Sequence, residues 1–144
     1  MRLVVDSSVV VKWFVTELQS AEAKSALDHD LVAPQLLVAE CANVFWKKAR
    51  QNEMAATQAA INVASISGVV DLFDMSGLAM RAVEIASSLP HPAYDCFYLA
   101  LAESEGCPLL TADDRLRRKL AEAPHVSFAE VLTLDLPIPT GKTT

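Results

Sequence analysis

Four short strand-like runs, Leu3–Val5, Leu31–Ala33, Val69–Phe73 and Leu109–Thr111, recur along the chain, each followed by a helix-forming stretch, and the first of them is unbroken and apolar. A strand wetted on one face alternates apolar and polar residues, whereas an unbroken apolar run needs cover on both faces. Such runs alternating with helices predict a parallel sheet covered on both sides.

The intervening helices are read as about 8–15 and 18–28, then a long one from Pro34 to about Asn52. Pro34 stops the second strand and sits in the first helical turn, where its missing N–H is no loss. A helix from about Met54 to Ile66 ends at Gly68. Ser76 is expected to cap one running to about Ser88, and Pro92 to open another that ends at Gly106. Asp113 or Asp114 caps a basic helix reaching Glu122. A short strand is expected somewhere within 126–134.

At 144 residues the chain suits one domain, and 52 % apolar with 21 % charged residues excludes disorder. Because 22 of the apolar residues are alanines, the surplus of bulky side chains is smaller than that percentage suggests. Cys41, Cys96 and Cys107 form no C-x-x-C pair, which argues for reduced thiols in a cytoplasm rather than zinc or disulfides. Asp6 and Lys12 interrupt the first apolar run before it resembles a signal peptide, and no stretch approaches the ~20 apolar residues of a membrane span. Gly141-Lys142-Thr143 ends like a phosphate-binding loop, but Leu136 stands where that loop needs glycine and no helix follows. The expected organisation is a domain over 1–134 and a flexible tail over 135–144.

A net charge of -6 disfavours a protein that holds nucleic acid mainly by phosphate attraction. It leaves open an enzyme that gathers carboxylates around a metal. Asp6 ends the first strand and Asp113 follows the fourth, and ligands of open parallel sheets gather at the carboxyl ends of strands. Either acid is equally readable as a helix cap. Glu40 lies mid-helix with Asn43 and Lys47 on its face, in either a polar site or a solvated ion network. Asp95 shares its helix face with Tyr98, Leu99 and Ala102, a surface that should pack on the sheet. A carboxylate there needs a cation, N–H donors or a proton, and the nearby helix N-terminus answers part of that need. Carboxylates crowded in one pocket repel by about 4 kcal/mol per close pair at an effective dielectric of 20, and a divalent cation relieves them. An all-oxygen set selects Mg²⁺ or Mn²⁺, ions suited to phosphoryl chemistry.

Lys12, the trio Lys47, Lys48 and Arg50, and the cluster Arg115, Arg117, Arg118 and Lys119 hold eight of the twelve basic residues. Residues 115, 118 and 119 share one helix face beside Asp113, a strip able to receive phosphates or simply a solvated face. His29, His91 and His125 are isolated in sequence and carry no expected role. Cys41 and Cys96 are read as small buried thiols.

The stretches Val5-Asp6-Ser7-Ser8-Val9, Pro34-x-Leu36-Leu37-x-x-Glu40-x-x-Asn43, Tyr94-Asp95-x-x-Tyr98-Leu99-Ala100-Leu101-Ala102 and Leu110-Thr111-Ala112-Asp113-x-Arg115-Leu116 resemble the four signature blocks of PIN-domain proteins. More narrowly, they resemble VapC-type toxins of bacterial toxin–antitoxin pairs, in order and correctly spaced over residues 2 to about 134. The resemblance implies a three-layer α/β/α sandwich around a central parallel sheet of about four to five strands. It implies a Mg²⁺-dependent endoribonuclease, with Mn²⁺ as a substitute, acting on structured RNA such as transfer RNA. By that resemblance Asp6 and Asp95 are the metal ligands, and Glu40 and Asp113 complete the catalytic acids. Ser7 or Ser8, Asn43, Thr111 and Asp114 support them, with Asn43 orienting Glu40 and either Asp113 or Asp114 facing the metal. Lys12, Arg115, Arg118 and Lys119 are the expected substrate contacts. A cognate antitoxin and a homodimer are the expected partners, the dimer also because apolar side chains remain for a second surface.

Two other classes fit part of the pattern. One is a non-toxin RNA-processing nuclease, or a binding module with a silent acidic pocket. The other is an aspartyl phosphotransferase, weakened because Ser8 stands where a D-x-D arrangement needs its second acid.

Overall fold

The structure, a computed structural model, describes residues 1–123 and 128–140. Its five strands are β1 (Arg2–Val5), β2 (Asp30–Pro34), β3 (Asp71–Phe73), β4 (Leu109–Thr111) and β5 (Val131–Thr133). All pair in parallel, in the order β3-β2-β1-β4-β5. Among the described residues seven helices flank this sheet: α1 (Ser7–Phe14), α2 (Ser20–Lys24), α3 (Leu36–Arg50), α4 (Ala56–Ser65), α5 (Ala79–Ser88), α6 (Ala93–Glu105) and α7 (Asp114–Glu122). The arrangement is the expected three-layer sandwich.

Burial follows the pattern of the sequence. Leu3, Val4 and Val5 are fully buried, as an unbroken apolar run covered on both faces must be. Helix α6 is apolar almost all round, with Cys96 and residues 98–102 buried, because it packs on the sheet and on α5 at once. It ends at Gly106, which takes φ 61°, while the Cys107 N–H closes on the Ala102 carbonyl at 3.1 Å. Helix α7 buries only Leu116 and turns its charged residues outward.

The chain order places the pocket. From β1 the chain runs outward to β2 and β3, then returns to lay β4 on the other side of β1. The crevice at the carboxyl ends of β1 and β4 is therefore a topological switch point, the usual ligand site of such sheets. Val4 pairs with Leu109 and Val5 with Leu110, which brings Asp6 level with Thr111.

Four local expectations change. Pro34 belongs to β2, opposite Phe73, and does not open α3. The Gln35 N–H bonds Phe73, so the missing N–H of Pro34 faces β1, whose pairing with β2 has already ended at Val32. Ser76 does not cap α5. Its N–H is taken by Asp74 at 2.8 Å, and the capping position is Leu78. The stretch 18–28 divides into α2 and a 3₁₀ turn, Ser25–Asp28. β3 begins at Asp71, because Ile66–Gly68 first makes a 3₁₀ turn.

The expected strand within 126–134 is β5; Val126 and Ser127 lie outside the described residues, as do His125 and the Gly141-Lys142-Thr143 stretch. Beyond β5, Asp135 accepts from Gln19 at 2.9 Å and Ile138 packs against the core.

Candidate active site

Asp6 does both things its position allowed. It is the N-cap of α1, accepting from the Val9 N–H at 3.4 Å. Its Oδ1 also accepts from the Ser8 hydroxyl and its Oδ2 from Thr111, 105 residues away. Both hydroxyls are fixed in turn: Ser8 accepts from the Ala112 N–H at 2.9 Å and Thr111 from the Asp113 N–H at 3.0 Å. Of the two serines it is thus Ser8 that holds Asp6, while Ser7 lines a neighbouring groove. Burial pushes the Asp6 carboxyl up to about 6. The Ser8 and Thr111 bonds oppose that rise, and the charge of Asp95 adds to it.

Glu40 reaches the same pocket from α3. Its partner is the hydroxyl of buried Tyr98, on α6; Asn43, expected to orient it, is exposed. Burial raises the pKa of Glu40 against the Tyr98 bond, which lowers it, and the charge of Asp95 raises it further. Asp95 stands in the first turn of α6, where its Oδ2 meets His91 Nε2 at 2.6 Å. The His91 side chain is 8 % exposed and that of Asp95 43 %. Asp95 is therefore half open, unlike the sheet-packed carboxylate expected from its neighbours, because it sits on the rim where α6 leaves the sheet. Its charge acts on both Asp6, just after β1, and Glu40, on α3.

The fourth acid differs. Asp113 caps α7, accepting from the Arg115 N–H at 3.0 Å, and the Arg115 guanidinium grips both its oxygens. That grip holds the Asp113 carboxyl below its usual range. Asp114 lies one residue further and pairs with Arg117 at 2.6 Å and Arg118 at 3.4 Å. Of the pair, Asp113 is the one tied through its backbone to Thr111, hence to Asp6.

Among the expected substrate contacts, Arg115, Arg118 and Lys119 line a cleft of about 450 Å³ together with His91 and Asp95. The Arg118 side chain is 64 % exposed. Lys12 is committed elsewhere, to Glu17 at 3.2 Å and the Leu18 carbonyl at 2.8 Å, and stands on a second groove of about 530 Å³ with Ser7, Ser8 and Asp113. Cys41 and Cys96 are buried, and burial lifts their thiols to about 12 and about 11, which keeps them protonated.

Two residues of this site had no expected role. His91 stands four positions before Asp95 and Tyr98 three after it, one helical turn on either side. That spacing is the signal that could have marked them.

The donor set fits a hard divalent cation. It is all oxygen, and two of its carboxylates are held protonated more readily than usual by burial and by a third, strain that a dication removes. Among the described residues no three His, Cys, Asp or Glu side chains stand close enough together to hold a metal ion between them as they are placed. A Mg²⁺-like ion, which keeps several waters and takes one or two carboxylates, suits such an open site.

A doubly covered parallel sheet with acids gathered at its switch point defines an α/β protein with a candidate acidic site where such sheets bind ligands. Residues 3–121 match the PIN domain, and the chain belongs to that family. It is 32 % identical over 124 residues to Ribonuclease VapC3 of Pyrobaculum aerophilum, covering 83 % of this chain and 95 % of that one. Among solved structures, a Pyrobaculum aerophilum protein superposes with a TM-score of 0.69 at 22 % identity, over 94 % of this chain and 90 % of the other. VapBC2 of Rickettsia felis, bound to a DNA fragment from its promoter, gives 0.67 at 11 % identity, over 92 % and 98 %. VapC20 of Mycobacterium tuberculosis, a Sarcin-Ricin loop cleaving toxin, gives 0.64 at 16 %, over 81 % and 93 %. At these identities the superpositions show the fold.

Proposed function

We propose that this PIN domain is a divalent-metal-dependent endoribonuclease and the toxin of a toxin–antitoxin pair. The observation that carries the reading is that Asp95, on α6, acts through its charge on both Asp6, after β1, and Glu40, on α3, near the switch point of the sheet. A structural role needs one such acid as a cap; it does not need Asp95 set against two others. The likeness to Ribonuclease VapC3 and to VapBC complexes supports both the activity and a protein partner of the antitoxin kind.

In this reading Asp6 and Asp95 hold Mg²⁺, with Mn²⁺ as a substitute. The bound ion supplies Lewis acidity toward a water and toward the scissile phosphate. Ser8 and Thr111 keep both oxygens of Asp6 aimed into the pocket. Glu40, one oxygen bound by Tyr98, has the other for a water. Arg118 and Lys119 draw the RNA backbone along the adjoining cleft, offsetting locally the net charge of -6. Structured RNA such as transfer RNA is the substrate class.

A homodimer belongs to the same reading, since Leu18, Met80 and Val83 remain 83 %, 79 % and 58 % exposed. Among the described residues no helix is long and apolar enough to cross a membrane, and a cytoplasmic location follows from the proposed substrate and partner.

The test is cleavage of total cellular RNA, mapped by sequencing of the new ends. Asp6→Asn and Asp95→Asn should abolish cleavage while leaving the fold intact, as should excess EDTA. Full activity in any of these overturns the reading. The toxin role predicts a small neighbouring gene for a DNA-binding protein with a disordered tail, whose product silences the nuclease.

A further inference from the structure

Helix α3 packs on α1 and α4, whereas α6 packs on α5 and the sheet. The acids these two helices carry, Glu40 and Asp95, therefore owe their relation to something other than a broad helix interface. One direct link is present: the Tyr98 hydroxyl, 2 % exposed as a residue, donates to Glu40 Oε1 across 58 residues of sequence. Tyr98 stands one helical turn from Asp95 on α6, so a single rigid side chain ties the α3 acid to the helix that bears the α6 acid.

Burial alone does not call for this pairing. A tyrosine in a core needs one acceptor for its hydroxyl, and a backbone carbonyl serves as well as a carboxylate at less cost. A half-buried glutamate, in turn, reaches water unless something turns it inward. Here the donor comes from the core side, on the helix that bears Asp95, so Glu40 is held within reach of a like charge rather than turned away from it. The ring of Tyr98 is buried within the hydrophobic core, which leaves the hydroxyl little freedom. Burial and the charge of Glu40 also keep the phenol protonated, a permanent donor.

We propose that Tyr98 is a positioning residue of the acid pocket, its buried hydroxyl holding the Glu40 carboxylate beside the helix that bears Asp95, so that Glu40 joins Asp95 and Asp6 in accepting a divalent cation. The proposal rests on the metal-dependent reading above and adds to it a residue that acts wholly through Glu40.

The experiment is calorimetric titration of Mn²⁺ into the full-length protein and into Y98F, E40Q and Y98F/E40Q, with thermal melts on the same samples. Y98F should weaken Mn²⁺ binding about 10- to 100-fold, the usual effect of losing a partner that orients a ligand. E40Q should weaken it as well, and the double variant should bind no more weakly than E40Q, because Tyr98 has nothing left to act through. Wild-type affinity in Y98F overturns the proposal, as do losses that multiply in the double variant. If Y98F is too unstable to titrate, E40Q against Y98F/E40Q decides alone: equal affinities uphold it and a further loss overturns it. A wild-type chain that takes up no Mn²⁺ overturns the nuclease reading and this proposal with it, an outcome distinct from an unaffected Y98F, which overturns the proposal only.

Discussion

The Thr111 hydroxyl donates to Oδ2 of Asp6 and accepts the Asp113 N–H at 3.0 Å, so one buried side chain joins the acid after β1 to the acid after β4. This bond exists because the register of the two strands brings residues 105 apart to the same level. Thr111→Val keeps the shape and removes the bond. We expect metal affinity about 10- to 100-fold weaker, with a stability loss of about 1–3 kcal/mol from the unmet charge and N–H, read by Mn²⁺ calorimetry and urea unfolding. An affinity equal to wild type would mean that the bond is only a packing detail.

Asp6 makes stability depend on pH in an unusual direction. Its carboxyl is raised from 3.8 to about 6 in the metal-free fold, so the folded state binds this proton before the unfolded one does. The ionised group therefore burdens the fold above pH 6, and the burden lifts as pH falls from about 6 toward 3.8. At about 1.4 kcal/mol per unit the whole effect is on the order of 3 kcal/mol. In EDTA, Asp6→Asn should be more stable than wild type at pH 7, with the difference vanishing by about pH 4. A mutant that is less stable across the range would show that Asp6 is not destabilised by burial.

Metal binding should show the same proton. Mn²⁺ affinity should fall steeply as pH drops through about 6, because the ion must displace a proton from Asp6. Proton release, measured by calorimetry in buffers of different ionisation heat, should approach one per ion near pH 5.5 and shrink by pH 8. Constant release over that range would contradict the shifted carboxyl.

The basic residues should divide by the groove they line. Arg118 and Lys119 face the cleft beside Asp95, so Arg118→Ala and Lys119→Ala should raise KM several-fold, leave kcat nearly unchanged and flatten the salt dependence. Lys12 is tied to Glu17 and the Leu18 carbonyl, and Lys12→Met should act through the local fold instead, lowering the melting temperature more than it raises KM. The reverse pattern would move the RNA path to the groove beside α1.

Gly106 ends α6 at φ 61°, with open space where a Cβ would stand. Gly106→Ala should therefore lose about 1 kcal/mol through backbone strain alone, without a clash, and leave metal binding intact. Thermal unfolding of the variant checks this; no loss would show that the helix end relaxes.

What sequence alone determined was local or periodic. The buried strands, the helix end at Gly106, a cap at Asp113 or Asp114 and the positions of Asp6 and Thr111 at strand ends all follow from apolar runs and capping residues, whose physics acts over a turn or a strand. Pro34 misled because its missing N–H suits a strand end as well as a helix start, and only the neighbouring strand shows which way it points. Which side chains meet was decided by the tertiary structure. That Ser8 rather than Ser7 holds Asp6, that Tyr98 rather than Asn43 holds Glu40, that His91 meets Asp95 and that Lys12 is spent on Glu17 all depend on where a side chain stands relative to its neighbours in space, not only on its own helix face. Strand register and helix packing set those distances, over as many as 105 residues for Asp6 and Thr111 and within a single turn for His91 and Asp95.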